Sequence, residues 1–263
     1  MDSWPRHQLR LLLTAVRFYT RLPVPAWVGH SEELMQQSSR YLPLVGWLVG
    51  AVAAVVWWLA ARCWPPTVAA LLSTGAGILL TSAFHEDGLA DVCDGFGGGW
   101  TAERILAIMK DSRVGTYGVV GLGLVLATKV AALQSAGATV PTLLLVAHPL
   151  SRVVALSFLH THEYARLTPD SKTQAVAKAL PLTELVVAAS WGLLPLLALA
   201  AWQRQPGYLL VLLPLAGLQL GLGRWFRHWL GGYTGDCLGA AQQLAEVLIY
   251  LLLTARFVNH GIG

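Results

Sequence analysis

LPLVGWLVGAVAAVVWWLAA, Leu42 to Ala61, runs for twenty residues without a charge. A helix of that length rises about 30 Å, the thickness of a bilayer's hydrocarbon core, so the stretch reads as a membrane span. Outward from it, similar apolar runs cover about Thr67 to Phe84, Val114 to Leu133, Pro141 to Leu159, Leu182 to Trp202, Gly207 to Leu222 and Leu238 to Phe257. The expectation is an all-α, polytopic integral membrane bundle of seven spans, within one either way. A mean hydropathy of +0.56 excludes an ordinary soluble domain of this length. Gly46-x3-Gly50 and Gly217-x3-Gly221 offer close helix contacts, either inside the chain or between copies in a homo-oligomer. No internal repeat or low-complexity tract divides the chain, so residues 1–263 read as one membrane-embedded domain, with the bundle over 42–257.

Upstream, Pro5 to Arg21 is too short and too charged to span. Arg6, Arg10, Arg17 and Arg21 fall within roughly 60° of one another on a helix, opposite Leu9, Leu12, Leu13, Val16 and Tyr19. Residues 1–25 therefore read as an amphipathic helix lying in the membrane interface and ended by Leu22-Pro-Val-Pro25. No cleavable signal peptide is evident, because the apolar run Leu11 to Val16 is broken by Arg17. The isoelectric point near 9.1 does not indicate nucleic acid, since the cations are scattered through short loops between apolar runs. With the N-terminus placed in the cytosol, thirteen of the eighteen Lys and Arg side chains fall on the cytosolic side. That bias predicts a multi-pass membrane protein with its acidic motif facing the cytosol. Cys63, Cys93 and Cys237 lack metal-site spacing and read as packing or free thiols.

The acidic motif is FHEDGLADVCDGFGGG, Phe84 to Gly99, which puts Glu86, Asp87, Asp91 and Asp94 within nine positions of a chain that is 12% charged. Asp87, Asp91 and Asp94 stand at i, i+4 and i+7, within roughly 60° of one another on a helix. Their mutual repulsion calls for a cation among them, and a hard divalent ion suits oxygen ligands. Glu86 points about 100° away and is set aside.

Two further stretches share that face. Lys110-Asp-Ser-Arg113-Val-Gly115-Thr-Tyr-Gly118 combines cations, a carboxylate and glycines, suited to gripping phosphate or to anchoring at the membrane interface. Gly231-Gly-Tyr-Thr234-Gly235-Asp236 precedes a helix that carries Glu246 about 15 Å further on, and reads either as part of a site or as a tight turn with helix packing. Charges within spans are costly, so Lys129, Arg152 and Glu246 are expected to face the bundle interior. His85 adjoins the acids and reads as substrate-binding or as a structural support. His148 reads as packing, and His160 and His162 as solvated. Carboxylates holding a divalent ion beside phosphate-gripping elements describe phosphoryl transfer to or from a membrane-associated substrate. A transporter with an acidic cation site is the rival from another class, although the acids gather at one end and no inverted repeat is visible.

FHEDGLADVCDG, IMKDSRVGTYG and GGYTGDCLGA, in that order and with FYTRLPVP near the N-terminus, resemble the cobalamin synthase (adenosylcobinamide-GDP ribazoletransferase) family over nearly the whole chain. The resemblance implies joining adenosylcobinamide-GDP to α-ribazole or α-ribazole 5′-phosphate, releasing GMP, with Mg²⁺ as cofactor. It implies Asp87, Asp91 and Asp94 as metal ligands and Asp94, Asp236 and Arg152 as catalytic. His85, Lys110, Asp111, Arg113, Gly115, Thr234, Gly235 and Glu246 would contact substrate. A CDP-alcohol phosphotransferase, which also spaces aspartates on membrane-face helices, is the nearest enzymatic alternative, but Gly88-Leu-Ala-Asp91 lacks its Ala-Arg pair.

Overall fold

The computed structural model describes residues 3–165 and 179–255. Eleven α-helices account for most of them: α1 (Trp4–Tyr19), α2 (Glu32–Ser38), α3 (Leu42–Ala60), α4 (Pro66–Thr81), α5 (Phe84–Gly98), α6 (Ala102–Ile108), α7 (Thr116–Ala136), α8 (Val140–Thr161), α9 (Leu182–Trp202), α10 (Leu212–Leu230) and α11 (Gly235–Thr254). Among the described residues there is no strand, only one isolated bridge between Tyr164 and Tyr233. Arg166, Lys172, Lys178 and Arg256, which enter the charge bias, lie outside the described residues.

Long helices occupy each of the seven stretches read as spans. Five stretches are long and apolar enough to cross a bilayer, or six if the bent pair α4 and α5 counts as one. One of the five, Thr116–Thr161, is 46 residues of nearly continuous helix. It is not one rod. Lys129 and His148 would stand roughly 28 Å apart on a straight helix, yet they reach the same Glu246 carboxylate at 2.8 and 3.3 Å. The chain turns back at the short 3-10 segment Gly137–Thr139, where Gly137 adopts φ +56°.

The second expected span needs a correction. It does not run straight through Phe84 into the acidic motif. It ends at Thr81, and the chain bends by 92° before α5. Ser82 and Ala83 both take left-handed conformations, φ 57° and 55°, which cost non-glycine residues roughly 1–2 kcal/mol each. Arg21 from the end of α1 holds the bend, its N–H donating to Leu80 O at 2.9 Å and its Nε to Ser82 Oγ at 2.5 Å.

Lipid tails are as apolar as leucine, so close packing and polar contacts must hold such a bundle together. Leu71, Leu79, Leu124, Leu213 and Leu220 stand exposed on the outer helix faces. The most extensive helix contact pairs α3 with α8. There a Cβ on Gly46 would lie 2.7 Å from Pro149 Cα, and one on Gly50 would lie 2.8 Å from Leu144 O. Gly46-x3-Gly50 is thus an internal seam, whereas Gly217 and Gly221 face open space. Helix α1 is amphipathic as expected, but its buried face is Leu11, Thr14, Ala15 and Tyr19, with Leu9 exposed. The phase differs because the basic side is not simply solvated: Arg10 Nε donates to Val28 O at 2.6 Å and Arg17 Nη1 to Gly29 O at 3.2 Å, folding the following loop back onto the helix.

Candidate active site

The acidic motif is helical throughout, and α5 crosses α11 glycine to glycine. A Cβ on Gly88 would meet Asp236 O at 2.9 Å and Gly239 Cα at 3.3 Å, and one on Gly239 would meet His85 O at 3.0 Å. Only bare backbone permits this approach. It sets Asp87, next to Gly88, and Asp91, one turn further, beside the first turn of α11, which carries Asp236. Asp87 is exposed, while Asp91 and Asp236 are half-buried. Thr234, wholly buried, caps α11: its hydroxyl accepts from Cys237 N at 3.3 Å. The preceding Gly232-Tyr233 is clamped to the segment after α8, with Tyr233 N donating to Glu163 O at 2.9 Å and Ala165 N to Tyr233 O at 2.8 Å. Gly235 opens the helix beside Asp236.

Asp94 is turned to another task. Its two oxygens accept from Gly115 N at 2.7 Å and Gly118 N at 2.8 Å, so the carboxylate sits on the N-terminus of α7. A Cβ on either glycine would overlap Asp94. Asp94 thereby ties the acidic motif to the segment beginning at Lys110, which the sequence separates from it by a whole helix. The three aspartates do not converge on a point, and among the described residues no group of three or more His, Cys, Asp and Glu side chains forms a metal cage.

The loop before α7 holds an exposed Lys110 and an ion pair. Arg113 grips Asp111 with Nη2 at 2.6 Å and Nε at 3.0 Å, and its backbone N–H donates to Asp111 Oδ1 at 3.1 Å. These hydrogen bonds from Arg113 hold the Asp111 carboxyl down at about 2.

The side chains of Arg152, Glu246 and His85 lie inside the bundle and not at its open end, 2%, 3% and 4% exposed, although the His85 backbone takes part in the crossing. Glu246 has four partners: Lys129 Nζ at 2.8 Å, Tyr250 OH at 3.0 Å, Gln242 Nε2 at 2.7 Å and His148 Nδ1 at 3.3 Å. Lys129 Nζ also donates to Gln243 Oε1 at 2.6 Å, and Gln242 Nε2 to Ser151 Oγ at 2.9 Å. Arg152 Nη1 donates to His148 O at 2.7 Å. Sequence reasoning expected the interior setting of Lys129, Arg152 and Glu246, but it missed Glu86. That side chain turns inward and accepts from Gln243 Nε2 at 2.9 Å. Gln242, Glu246 and Tyr250, at i, i+4 and i+8 within an apolar run, were the signal that a polar stripe awaited partners.

An all-helical membrane bundle that packs an acidic helix against a second aspartate-bearing helix at one end, beside a cationic loop, is built as an integral-membrane enzyme. The chain matches the cobalamin-5-phosphate synthase family over residues 11–254 and belongs to it. It is 45% identical over 258 residues to the adenosylcobinamide-GDP ribazoletransferase of Shewanella frigidimarina, covering 96% of this chain and 97% of that one. It is 46% identical over 252 residues to the protein of that name from Leptothrix cholodnii, covering 93% and 95%. The Shewanella piezotolerans counterpart is 42% identical over 257 residues, covering 96% and 97%. No solved structure matches the chain.

Proposed function

We propose that the chain transfers the adenosylcobinamide-phosphate group of adenosylcobinamide-GDP to the 3′-hydroxyl of α-ribazole, or of α-ribazole 5′-phosphate, releasing GMP. The observation that carries this reading is the glycine-to-glycine crossing of α5 and α11, which brings the turns that carry Asp87, Asp91 and Asp236 side by side. Its companion is the cationic loop that Asp94 docks against the same helix. The donor set is all carboxylate oxygen and lies at an open end without a closed cage. That suits Mg²⁺, which keeps several waters and takes one or two carboxylates plus substrate phosphates. Asp87 and Asp91 would hold it, where it would neutralise charge on the pyrophosphate.

In the transfer, the acceptor hydroxyl oxygen bonds to the phosphorus nearer the corrinoid. The bond from that phosphorus to the bridging oxygen breaks, and the bridging oxygen leaves with GMP. Asp236, on the facing helix, takes the hydroxyl proton. Lys110 steadies the donor's phosphates, and Arg113 offers the face of its guanidinium not taken by Asp111. Thr234 and Gly235 set the start of α11, and Gly115 that of α7. Arg152, Glu246 and His85 support the site from within. The charge bias of the loops supports a cytosolic setting for this end, at the inner face of a bacterial membrane.

The test is GMP release by the purified chain in lipid nanodiscs, with both substrates, in Mg²⁺ and in EDTA. Turnover that persists in EDTA removes the metal. CMP released from a CDP-alcohol, with no GMP from the corrinoid donor, would restore the CDP-alcohol phosphotransferase reading.

A further inference from the structure

Four buried side-chain atoms around the network lack a hydrogen-bond partner: Glu86 Oε2, Arg152 Nε, Thr74 Oγ1 and His148 Nδ1, of which only the last has an oppositely charged group beside it, Glu246 Oε2 at 3.3 Å. Glu86 is 7% exposed and Arg152 2%. All four residues line one cavity between α3, α4, α5, α7, α8 and α11, and its free volume is about 20 Å³. That is room for a single water, and a buried water typically makes about three hydrogen bonds. Two charged groups and a hydroxyl stranded around a void would be costly, more so where lipid surrounds the bundle.

We propose that this cavity is a binding site for one ordered water that accepts from Arg152 Nε and donates to Glu86 Oε2 and Thr74 Oγ1. The charges around it argue for water over an inorganic cation. Glu86 and Glu246 are balanced by Lys129 and Arg152 before either imidazole is counted, so an added cation would leave net charge in a low-dielectric interior. A cation also cannot accept from an N–H group, whereas water can accept and donate at once. The bound water joins α5, α8 and α4. Because Glu86 directly precedes Asp87, it fixes the rotation of α5 and hence the direction in which the acidic face points.

The experiment uses the full chain in nanodiscs. A density map fine enough to show waters should place a peak within hydrogen-bond distance of both Glu86 Oε2 and Arg152 Nε. An empty void, or direct contact between those two atoms, overturns the proposal. Thr74→Ile supplies an independent reading by filling the cavity. If water is expelled, Tm falls by roughly 4 °C or more; if the cavity is dry, Tm holds or rises. Thr74→Val removes one of three partners and should give a smaller fall. Melting in sodium, potassium and choline chloride at equal ionic strength should agree. A rise specific to one metal ion would place a cation there instead.

Discussion

Glu86 and Asp87 are neighbours in the chain and opposites in setting. Glu86 is buried against Gln243 of α11, while Asp87 faces solvent at the open end of the same helix pair. Helix α11 repeats the contrast, with Asp236 half-buried in its first turn and Glu246 closed off among four partners. A rotation of about 100° per residue on α5, and about 15 Å of rise on α11, separates a carboxylate at the open end from one locked into the scaffold. The acids of this protein therefore form two populations. They should respond differently to the same kind of substitution: loss of turnover at the open end, loss of stability inside.

The largest effect expected is at the open end. Asp91→Asn, and separately Asp87→Asn, should lower GMP release by at least about 10²-fold, while helicity and size-exclusion behaviour stay unchanged. Collapse of the fold in both variants would erase the distinction between the two populations. Inside, the converse should hold. Lys129→Met leaves Glu246 without its only lysine and should destabilise the bundle by about 3–5 kcal/mol, read as a lowered Tm. The double variant Lys129→Met with Glu246→Gln should recover part of that loss, because it no longer strands a buried charge. A double variant as unstable as the sum of its parts would mean that the two side chains are not coupled.

Asp94 lies between these cases. Asp94→Asn puts an amide NH₂ against one of the two backbone N–H donors of α7, and should cost about 1–2 kcal/mol at that helix end. Faster amide exchange at Gly115 and Gly118 would report it. Activity should fall less than for Asp91→Asn. An equal fall would return Asp94 to the metal, where its i+7 spacing first put it.

Asp94 shows what a sequence can and cannot reveal here. Spans are legible because a twenty-residue uncharged run has few other homes, and the burial of Lys129, Arg152 and Glu246 follows from the cost of exposing them to lipid. The bend before α5 was not legible, because Ser82 and Ala83 carry no glycine or proline mark and are held left-handed by Arg21, 61 residues before Ser82. Asp94 could not be told from its neighbours by helical phase alone. Its partners, Gly115 and Gly118, reach it only through the packing of α7 on α5. Phase failed for α1 as well, because Arg10 and Arg17 bind loop carbonyls that no periodicity records.

The smallest effect expected belongs to the ion pair in the open loop. Arg113 holds the Asp111 carboxyl at about 2, below its ordinary value of 3.8. A carboxyl depressed by folding stabilises the folded form above its unfolded value and loses that contribution as pH falls through the folded one. Whatever the pair adds is therefore complete above about pH 4 and disappears toward pH 2. Both groups are exposed, so the effect on Tm should be slight. The sharper readout is the titration itself, since Arg113→Ala should return Asp111 to the ordinary carboxylate range, measured by carboxylate infrared bands. If the pair instead opens to admit phosphate, inorganic pyrophosphate should raise the Asp111 midpoint in the unsubstituted chain and leave it unmoved in Arg113→Ala. A midpoint indifferent to pyrophosphate in both chains would leave the loop a structural clasp and assign the grip on phosphate to Lys110 alone.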